Sequence, residues 1–180
     1  MSDHPNGPWV WIDLEMTGLD PATCTIIEIA SVVTDVECNV IAEGPDLVVH
    51  LSDVELASMS PWCIEHHGAS GLSDACRAST LSLRDAEQQT LAFLSEHTEA
   101  GASALCGNSI GLDWQFIQKQ MPELAGFLAH QLIDVTSVKE LSKRWFPKGE
   151  ALSKAGGHRA LADIRESIAE LALYKRTVFR

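Results

Sequence analysis

Two acids stand where acids are costly. Asp13 and Glu15 interrupt the apolar run Trp9-Val-Trp-Ile-Asp-Leu-Glu-Met16, separated only by Leu14. On a β-strand, residues i and i+2 point to one face, so both carboxylates project together while Leu14 packs on the other side. Neighbouring carboxylates on a buried strand repel and are costly to desolvate; they call for a cation, a basic partner or a proton. The alternative is an edge strand with two solvated acids, but Trp11, Ile12 and Leu14 mark the strand as buried. The run breaks at Gly18, and Asp20-Pro21 marks a turn. The pair therefore stands near a strand end, where α/β folds place their sites.

Three more residues extend the set. Asp113 follows Cys106-Gly-Asn-Ser-Ile-Gly-Leu112 at the start of a helix, and Asp163 lies in the last helix, five residues after His158. Five helical steps put two side chains about 140° apart. His158 can share a site with Asp163 only from the loop before the helix, and Gly156-Gly157 makes such a loop plausible. Taken alone, Asp163 reads as a solvated helix acid and Asp113 as an ordinary acid at a helix N-terminus. Together, four carboxylates and one histidine have the composition of a two-metal phosphodiesterase. Hard divalent cations prefer oxygen ligands, and two ions about 4 Å apart can hold both the attacking and the leaving oxygen of an in-line displacement. A histidine with a pKa near ~6.5 can take the proton of the attacking water.

The elements that must position these groups read as a mixed α/β domain spanning residues 1–180, with residues 1–8 flexible. After the first strand, residues 26 to 35 form a second. A third runs from Val40 to His50, broken at Gly44-Pro45. Short connections between the three predict an antiparallel meander. Ser60-Pro61 opens a helical turn carrying Trp62, with proline at a first helical position and with Gly68 and Gly71 interrupting the helical stretch. Helices are expected over Leu83–His97, from Asp113 to Pro122, over Glu123–Ala129, over Thr136–Trp145 with Asp134 as cap, and over Arg159–Arg176, where Leu161, Ile164, Ile168 and Leu171 keep helical spacing. Short strands fall at Ala104–Gly107 and Leu132-Ile133, and residues 150–157 read as a mobile loop. Strands first, then alternating helix and strand, give the α/β class.

Charge and cysteine content bound the partners. The chain carries 13 Lys and Arg against 25 Asp and Glu, a net charge of −12. Proteins that track long nucleic acid present basic surfaces, because phosphate neutralisation supplies much of their affinity. A nucleic-acid substrate here is therefore expected to be short, held by metals and a pocket. Cys24, Cys38, Cys63, Cys76 and Cys106 are odd in number and contain no C-x-x-C, which reads as free thiols in a reducing, cytoplasmic compartment. No apolar run is long enough to span a bilayer, and the polar N-terminus lacks a signal-peptide pattern.

Asp-x-Glu in the first strand, Asn-Ser-Ile-Gly-Leu-Asp113 in the middle and His158-x-x-x-x-Asp163 near the end resemble the three motifs of the DEDDh 3′→5′ exonuclease superfamily. Trp11-Ile-Asp-Leu-Glu-Met-Thr-Gly-Leu-Asp-Pro21, Ile26-Ile-Glu-Ile-Ala30, Met121-Pro-Glu-Leu124, Val138-Lys-Glu-Leu141 and Asp163-Ile-Arg-Glu-Ser167 resemble the oligoribonuclease family within it, over Trp9 to Tyr174. The resemblance implies a ribonuclease H-like fold, a mixed five-stranded sheet flanked by helices. It implies Asp13, Glu15, Asp113 and Asp163 as ligands of two divalent ions, Mg²⁺ or Mn²⁺, with His158 as general base. It implies a homodimer that hydrolyses dinucleotides and other very short oligonucleotides to mononucleotides. Leu19 is similar to the leucine that wedges between the two bases. Trp62 resembles the aromatic that stacks on the 3′ base, a contact worth about 1–3 kcal/mol. Thr17 and Gly18 would bring backbone to the terminal sugar, and His67 matches a family histidine near the substrate, with His66 pointing elsewhere. Asn108 falls in the central motif. Ser109, Thr136 and Ser137 match hydroxyls that cap the 5′ phosphate. Glu28 and Asp134 match the family as structural acids.

One segment departs from the pattern. Oligoribonucleases have His-Tyr-Arg where this chain has Ala129-His130-Gln131. The arginine pairs with the 5′ phosphate and the tyrosine reaches the partner's site; Gln131 cannot make a charged bidentate contact. That opens an alternative with the same chemistry, either a preference for deoxydinucleotides or a proofreading-like DNA 3′ exonuclease. A binding module without activity would need a missing ligand, and none of the five positions is missing. A hydrolase of small phosphate esters would be separated by comparing a dinucleotide with a mononucleotide ester.

Overall fold

Five strands form one mixed sheet, and two of the four candidate site acids, Asp13 and Glu15, lie on its central strand. The computed structural model describes residues 7–146 and 159–179. Met1–Asn6, the loop at 150–157 and His158 lie outside the described residues. The strands are β1 (Trp9–Met16), β2 (Ile26–Thr34), β3 (Val40–Val48), β4 (Leu105–Gly107) and β5 (Leu132–Asp134), in the order β3-β2-β1-β4-β5. The first three pair antiparallel, the expected meander, while β4 and β5 run parallel to β1. Every residue of β2 is buried, so this strand reads as an almost unbroken apolar run covered on both faces.

Alternation along β1 divides the core in two. Val10, Ile12 and Leu14 pack with Leu94, Phe116, Ile117 and Leu124 on one face. Trp11 packs with Ala160, Ile164, Ile168 and Leu171 on the other, its indole N–H donating to the Thr34 hydroxyl at 2.9 Å. Asp13 and Glu15 share the parity of Trp11, so they face the last helix, as the strand periodicity requires.

Eight helices complete the described residues: α1 (Asp53–Ala57), α2 (Pro61–Ala69), α3 (Leu72–Ala78), α4 (Leu83–Ser95), α5 (Gly111–Gln120), α6 (Pro122–Phe127), α7 (Val135–Trp145) and α8 (Ala160–Thr177). Ser60 caps α2 by accepting from Cys63 N, with Pro61 in the first turn, and Asp134 caps α7 by accepting from Thr136 N. Gly68 does not interrupt α2 but lies inside it. Gly71, at φ 76°, separates α2 from α3, a backbone that suits glycine.

The third strand also corrects an expectation. Gly44-Pro45 does not break β3, which runs through both residues. The pairing passes from Ala30–Asp46 to Val32–Glu43, so the pair sits in a bulge. Proline is tolerated there because β3 is an edge strand. A Cβ at Gly44 would come within 2.6 Å of the Phe93 ring and 2.5 Å of Ser31 Oγ, so the glycine permits α4 to approach the sheet.

Candidate active site

Three elements bring the acids together. β1 supplies Asp13 and Glu15, and α8 supplies Asp163 from its first turn. One carboxylate oxygen from each lies within 4.8 Å of the others. Asp113, in the first turn of α5, is buried, and its Oδ1 accepts from Leu14 N at 3.1 Å. The parallel ladder between β1 and β4 covers only Val10–Leu105 and Trp11–Cys106. Beyond it, the Asp113 carboxylate takes the β1 amide that a longer β4 would have taken. A carboxylate thus extends the sheet edge and ties α5 to the acid-bearing strand.

These acids disturb one another. Burial raises Asp13 well above the usual carboxylate range, and Asp113, Asp163, Glu15 and Glu28 push it further. Glu15 is raised to about 8, by burial first and then by Glu28, Asp163 and Asp113, with Arg159 opposing. Asp113 is raised to about 7 by burial, against which its own amide and that of Leu14 act. A site that resists ionisation this strongly fits divalent cations, whose charge would reverse the balance.

The N-terminus of α8 is held by Glu28. This residue sits opposite Glu15 across β1 and β2 and is fully buried. Its Oε1 accepts from Arg159 Nε at 2.7 Å, and its Oε2 accepts from Ala160 N at 3.1 Å. Burial raises the Glu28 carboxyl, and the Ala160 amide and Arg159 pull it back. Arg159 was not foreseen as part of the site. Half of the signal was present: an acid inside an apolar strand requires a donor, but only the fold decides which one.

A cleft of about 1030 Å³ opens from Glu15. Thr17, Gly18, Leu19, Trp62 and His67 line it, together with Cys24. Leu19 is 75% exposed and Trp62 53% exposed, an unusual display of large apolar groups for residues beside a half-buried acid cluster. The turn carrying Leu19 is fixed by Asp20, which accepts from Ala22 N and the Thr23 hydroxyl. Thr17 Oγ1 accepts from Thr25 N at 2.9 Å. A Cβ on Gly18 would lie 2.6 Å from Cys24 Sγ. His67 is buried; its Nε2 donates to Met16 O at 3.0 Å, and its Nδ1 is 3.9 Å from Glu15. His66 does not line the cleft, in keeping with the expectation that it points elsewhere. Its ring stacks on Trp62, with centroids 3.9 Å apart and planes 17° apart.

The polar residues form a second group. Ser109, at φ 53°, donates its amide to Asp134 Oδ1 at 2.9 Å, a left-handed turn of the kind kept at functional sites. Asp134 also accepts from Thr136 N and from the Ser137 hydroxyl. The Thr136 hydroxyl donates to the Asn108 carboxamide oxygen, and the Asn108 nitrogen donates to Ser167 Oγ at 2.6 Å. Ser167 in turn donates to the Asp163 carbonyl. A hydrogen-bonded chain therefore runs from the hydroxyl cluster to the helix turn of a site acid. His130 and Gln131 are exposed just before β5. Gln131 precedes Asp134 by three residues, about 10 Å along a strand. Lys139, on α7 just beyond Thr136 and Ser137, is paired with buried Glu170 at 3.0 Å.

A mixed sheet with crowded acids at the C-terminal end of its central strand defines a nuclease-like α/β architecture, and residues 10–171 match the RNase_T exonuclease family. The chain belongs to that exonuclease family. Its curated relatives include the oligoribonucleases of Shewanella loihica, 53% identical over 172 residues and 95% of each chain, and of Vibrio vulnificus, 52% identical over the same span. A probable oligoribonuclease of Dictyostelium discoideum is 51% identical over 95% of this chain and 90% of its own. Among solved structures, E. coli exonuclease I in complex with a dA16 oligonucleotide superposes with a TM-score of 0.76 at 17% identity, over 96% of this chain and 41% of that one. Exonuclease I of Methylocaldum szegediense gives 0.69 at 18% identity, over 94% and 40%. The chain spans about two fifths of those exonuclease I chains, and the likeness shows the expected fold. The exonuclease family depends on divalent metal, in keeping with the acidic cluster. Among the described residues, no helix is long and apolar enough to cross a membrane.

Proposed function

We propose that this protein is a 3′→5′ exonuclease that hydrolyses very short oligonucleotides, dinucleotides above all, to mononucleotides. The observation that carries the reading is the cleft joining two unlike ends. At one end the cleft reaches Glu15, whose carboxylate lies within 4.8 Å of those of Asp13 and Asp163; along the walls stand exposed Leu19 and Trp62. Asp13, Glu15, Asp113 and Asp163 would hold two ions, Mg²⁺ or Mn²⁺. Bound there, the ions would activate water and stabilise charge on the phosphate. Leu19 and Trp62 would hold the bases, and backbone at Thr17 and Gly18 would meet the terminal sugar. His67 would brace the Met16–Glu15 end of β1. His158, outside the described residues, would accept the proton of the attacking water. The net charge of −12 favours short substrates over long ones. The chain is read as one domain acting as a homodimer in the cytoplasm, a reducing compartment that suits its five free cysteines.

Gln131 favours a second reading on one point. Without a cation at the 5′ end, selection shifts toward the sugars, and deoxydinucleotides become candidate substrates. The test is turnover of matched RNA and DNA dinucleotides, a ten-residue oligomer and a mononucleotide ester, in Mg²⁺, in Mn²⁺ and in chelator. Metal-dependent cleavage of dinucleotides at least as fast as of the longer oligomer is expected. Preference for the long oligomer would favour the proofreading-like alternative, and cleavage of the ester alone would remove the exonuclease reading.

A further inference from the structure

Trp62 presents an aromatic face from an unpromising place. It lies in the first turn of the nine-residue helix α2 and is 53% exposed. A side chain so placed is free to sample rotamers, and ordering it on binding would cost affinity, about 0.5–1.5 kcal/mol for one immobilised side chain. Here it is already ordered. His66, one helical turn later, lies flat on the indole with centroids 3.9 Å apart and planes 17° apart. The histidine is fixed in turn by the residue it covers, because its Nδ1 lies 2.9 Å from the Trp62 carbonyl oxygen. A carbonyl oxygen only accepts, so Nδ1 carries the proton in that bond. Trp62 lines the cleft and His66 does not.

From this geometry we infer that His66 is a positioning residue: it backs the indole of Trp62 and holds the opposite face toward the cleft as a preformed platform for a base. The inference rests on the proposed reading of Trp62 as a base-stacking residue, but its structural half stands independently. The stack comes from i,i+4 spacing on a helix and from a hydrogen bond to the backbone, both of which exist before substrate arrives. A base then joins a stack already two rings deep.

The test uses the full chain with metal and an RNA dinucleotide. His66→Ala is expected to raise KM roughly three- to tenfold with kcat within about twofold. His66→Phe, which keeps a ring at the position, is expected to recover most of the loss. In a Trp62→Ala background, removing His66 should have no further effect on KM. Protein labelled with 5-fluorotryptophan supplies a readout independent of turnover: the Trp62 resonance, assigned through Trp62→Phe, should shift in His66→Ala and return toward its position in His66→Phe. An unchanged KM in His66→Ala, or an equal loss with and without Trp62, would overturn the inference. An unchanged KM in Trp62→Ala alone would instead overturn the base-stacking reading, while the fluorine shift would still report on the stack.

Discussion

Acids drawn wholly or partly into the interior of this molecule are of two kinds, and the contrast separates scaffold from site. Glu28, Glu87 and Glu170 are all nearly or fully buried, and each is met by donors. Glu28 has Arg159 and Ala160 N. Glu87 accepts from Glu123 N and Leu124 N, the first amides of α6. Glu170 has Lys139 and the Tyr174 hydroxyl, which burial and then Glu170 push up to about 12. Asp13, Glu15, Asp113 and Asp163 are brought instead to face one another. Three of them ionise reluctantly, through burial first and, for Asp13 and Glu15, through the charge of Glu28 and of the other site acids. Buried polar groups are ordinarily satisfied from within the fold. A fold that meets three acids with bases, amides or a hydroxyl of its own, and gathers four others around one another, makes the second group the one suited to cations.

The sharpest way to break this contrast is Asp13→Asn. It should lower turnover by more than 10²-fold, beyond the ~10–100-fold typical of losing an outer-shell partner of a metal site. It should also raise the melting temperature of the chelator-treated protein at pH 8, because one repelling charge is gone. A fall in melting temperature, measured by calorimetry, would mean that Asp13 is held by the scaffold like Glu28, and the distinction would collapse.

The pH dependence of the metal-free protein tests the same contrast without mutation. Glu15 rises to about 8 from 4.5 and Asp113 to about 7 from 3.8. Both folded-state values lie above the unfolded ones. Their contribution to stability is therefore complete below the unfolded values. It is lost as pH climbs, because the unfolded chain ionises first; each unit of difference amounts to about 1.4 kcal/mol. Melting temperature in chelator should fall between about pH 4.5 and 8, and the gain from adding Mg²⁺ should grow over the same window. A flat profile would show that the crowded acids are compensated from within the fold.

Glu28→Gln probes the paired class. It removes the charge that Arg159 faces while keeping a polar group at the position. A buried group left with imperfect partners costs about 1–3 kcal/mol, and Asp46, 3.8 Å from Arg159, offsets part of this. Stability in urea should fall by that amount, opposite in sign to Asp13→Asn. Turnover should fall less than for Asp13→Asn, since Glu28 acts through the start of α8. Equal losses of turnover in the two variants would make Glu28 a member of the site.

The crowded acids were legible in the sequence and the paired ones much less so. Asp13 and Glu15 declared themselves because a period-2 strand leaves them no other direction, and helix-start position and spacing brought in Asp113 and Asp163. The meander came from three strands with short connections. Pro45 misled because its cost depends on the strand's place in the sheet; an edge strand with a bulge absorbs it, and edge position is a property of topology. Glu28 could be read as structural, but its partner Arg159 lies 131 residues away, and no local pattern names it. The His66 stack was missed because helix spacing permits an i,i+4 contact without requiring one. The pairing of Lys139 with Glu170 is hidden for a similar reason, since it depends on how α7 crosses α8.

That pairing bears on the smallest of the expected effects, at the 5′ end. Lys139 is engaged with Glu170, and the hydroxyl protons of Thr136 and Ser137 are directed at Asn108 and Asp134. A 5′ phosphate arriving there would have to turn hydroxyls away from existing acceptors, and it would gain only neutral donors in return. Neutral hydrogen bonds contribute about 0.5–1.5 kcal/mol, against about 1.5–3 kcal/mol when one partner is charged. The preference for 5′-phosphorylated dinucleotides should accordingly be weak. Gln131→Arg would root an arginine about 10 Å of extended backbone before Asp134, its guanidinium able to reach the cluster only by extending beside β5. The gain in the ratio of kcat/KM for dinucleotides with and without a 5′ phosphate should approach, but not pass, about tenfold (~1.4 kcal/mol). Because the added charge is exposed, it should also shrink as salt rises from low to physiological levels. An unchanged ratio at low salt would show that the 5′ end lies away from Gln131, and the hydroxyls of Ser109, Thr136 and Ser137 would then have to be read, with Asp134, as scaffold.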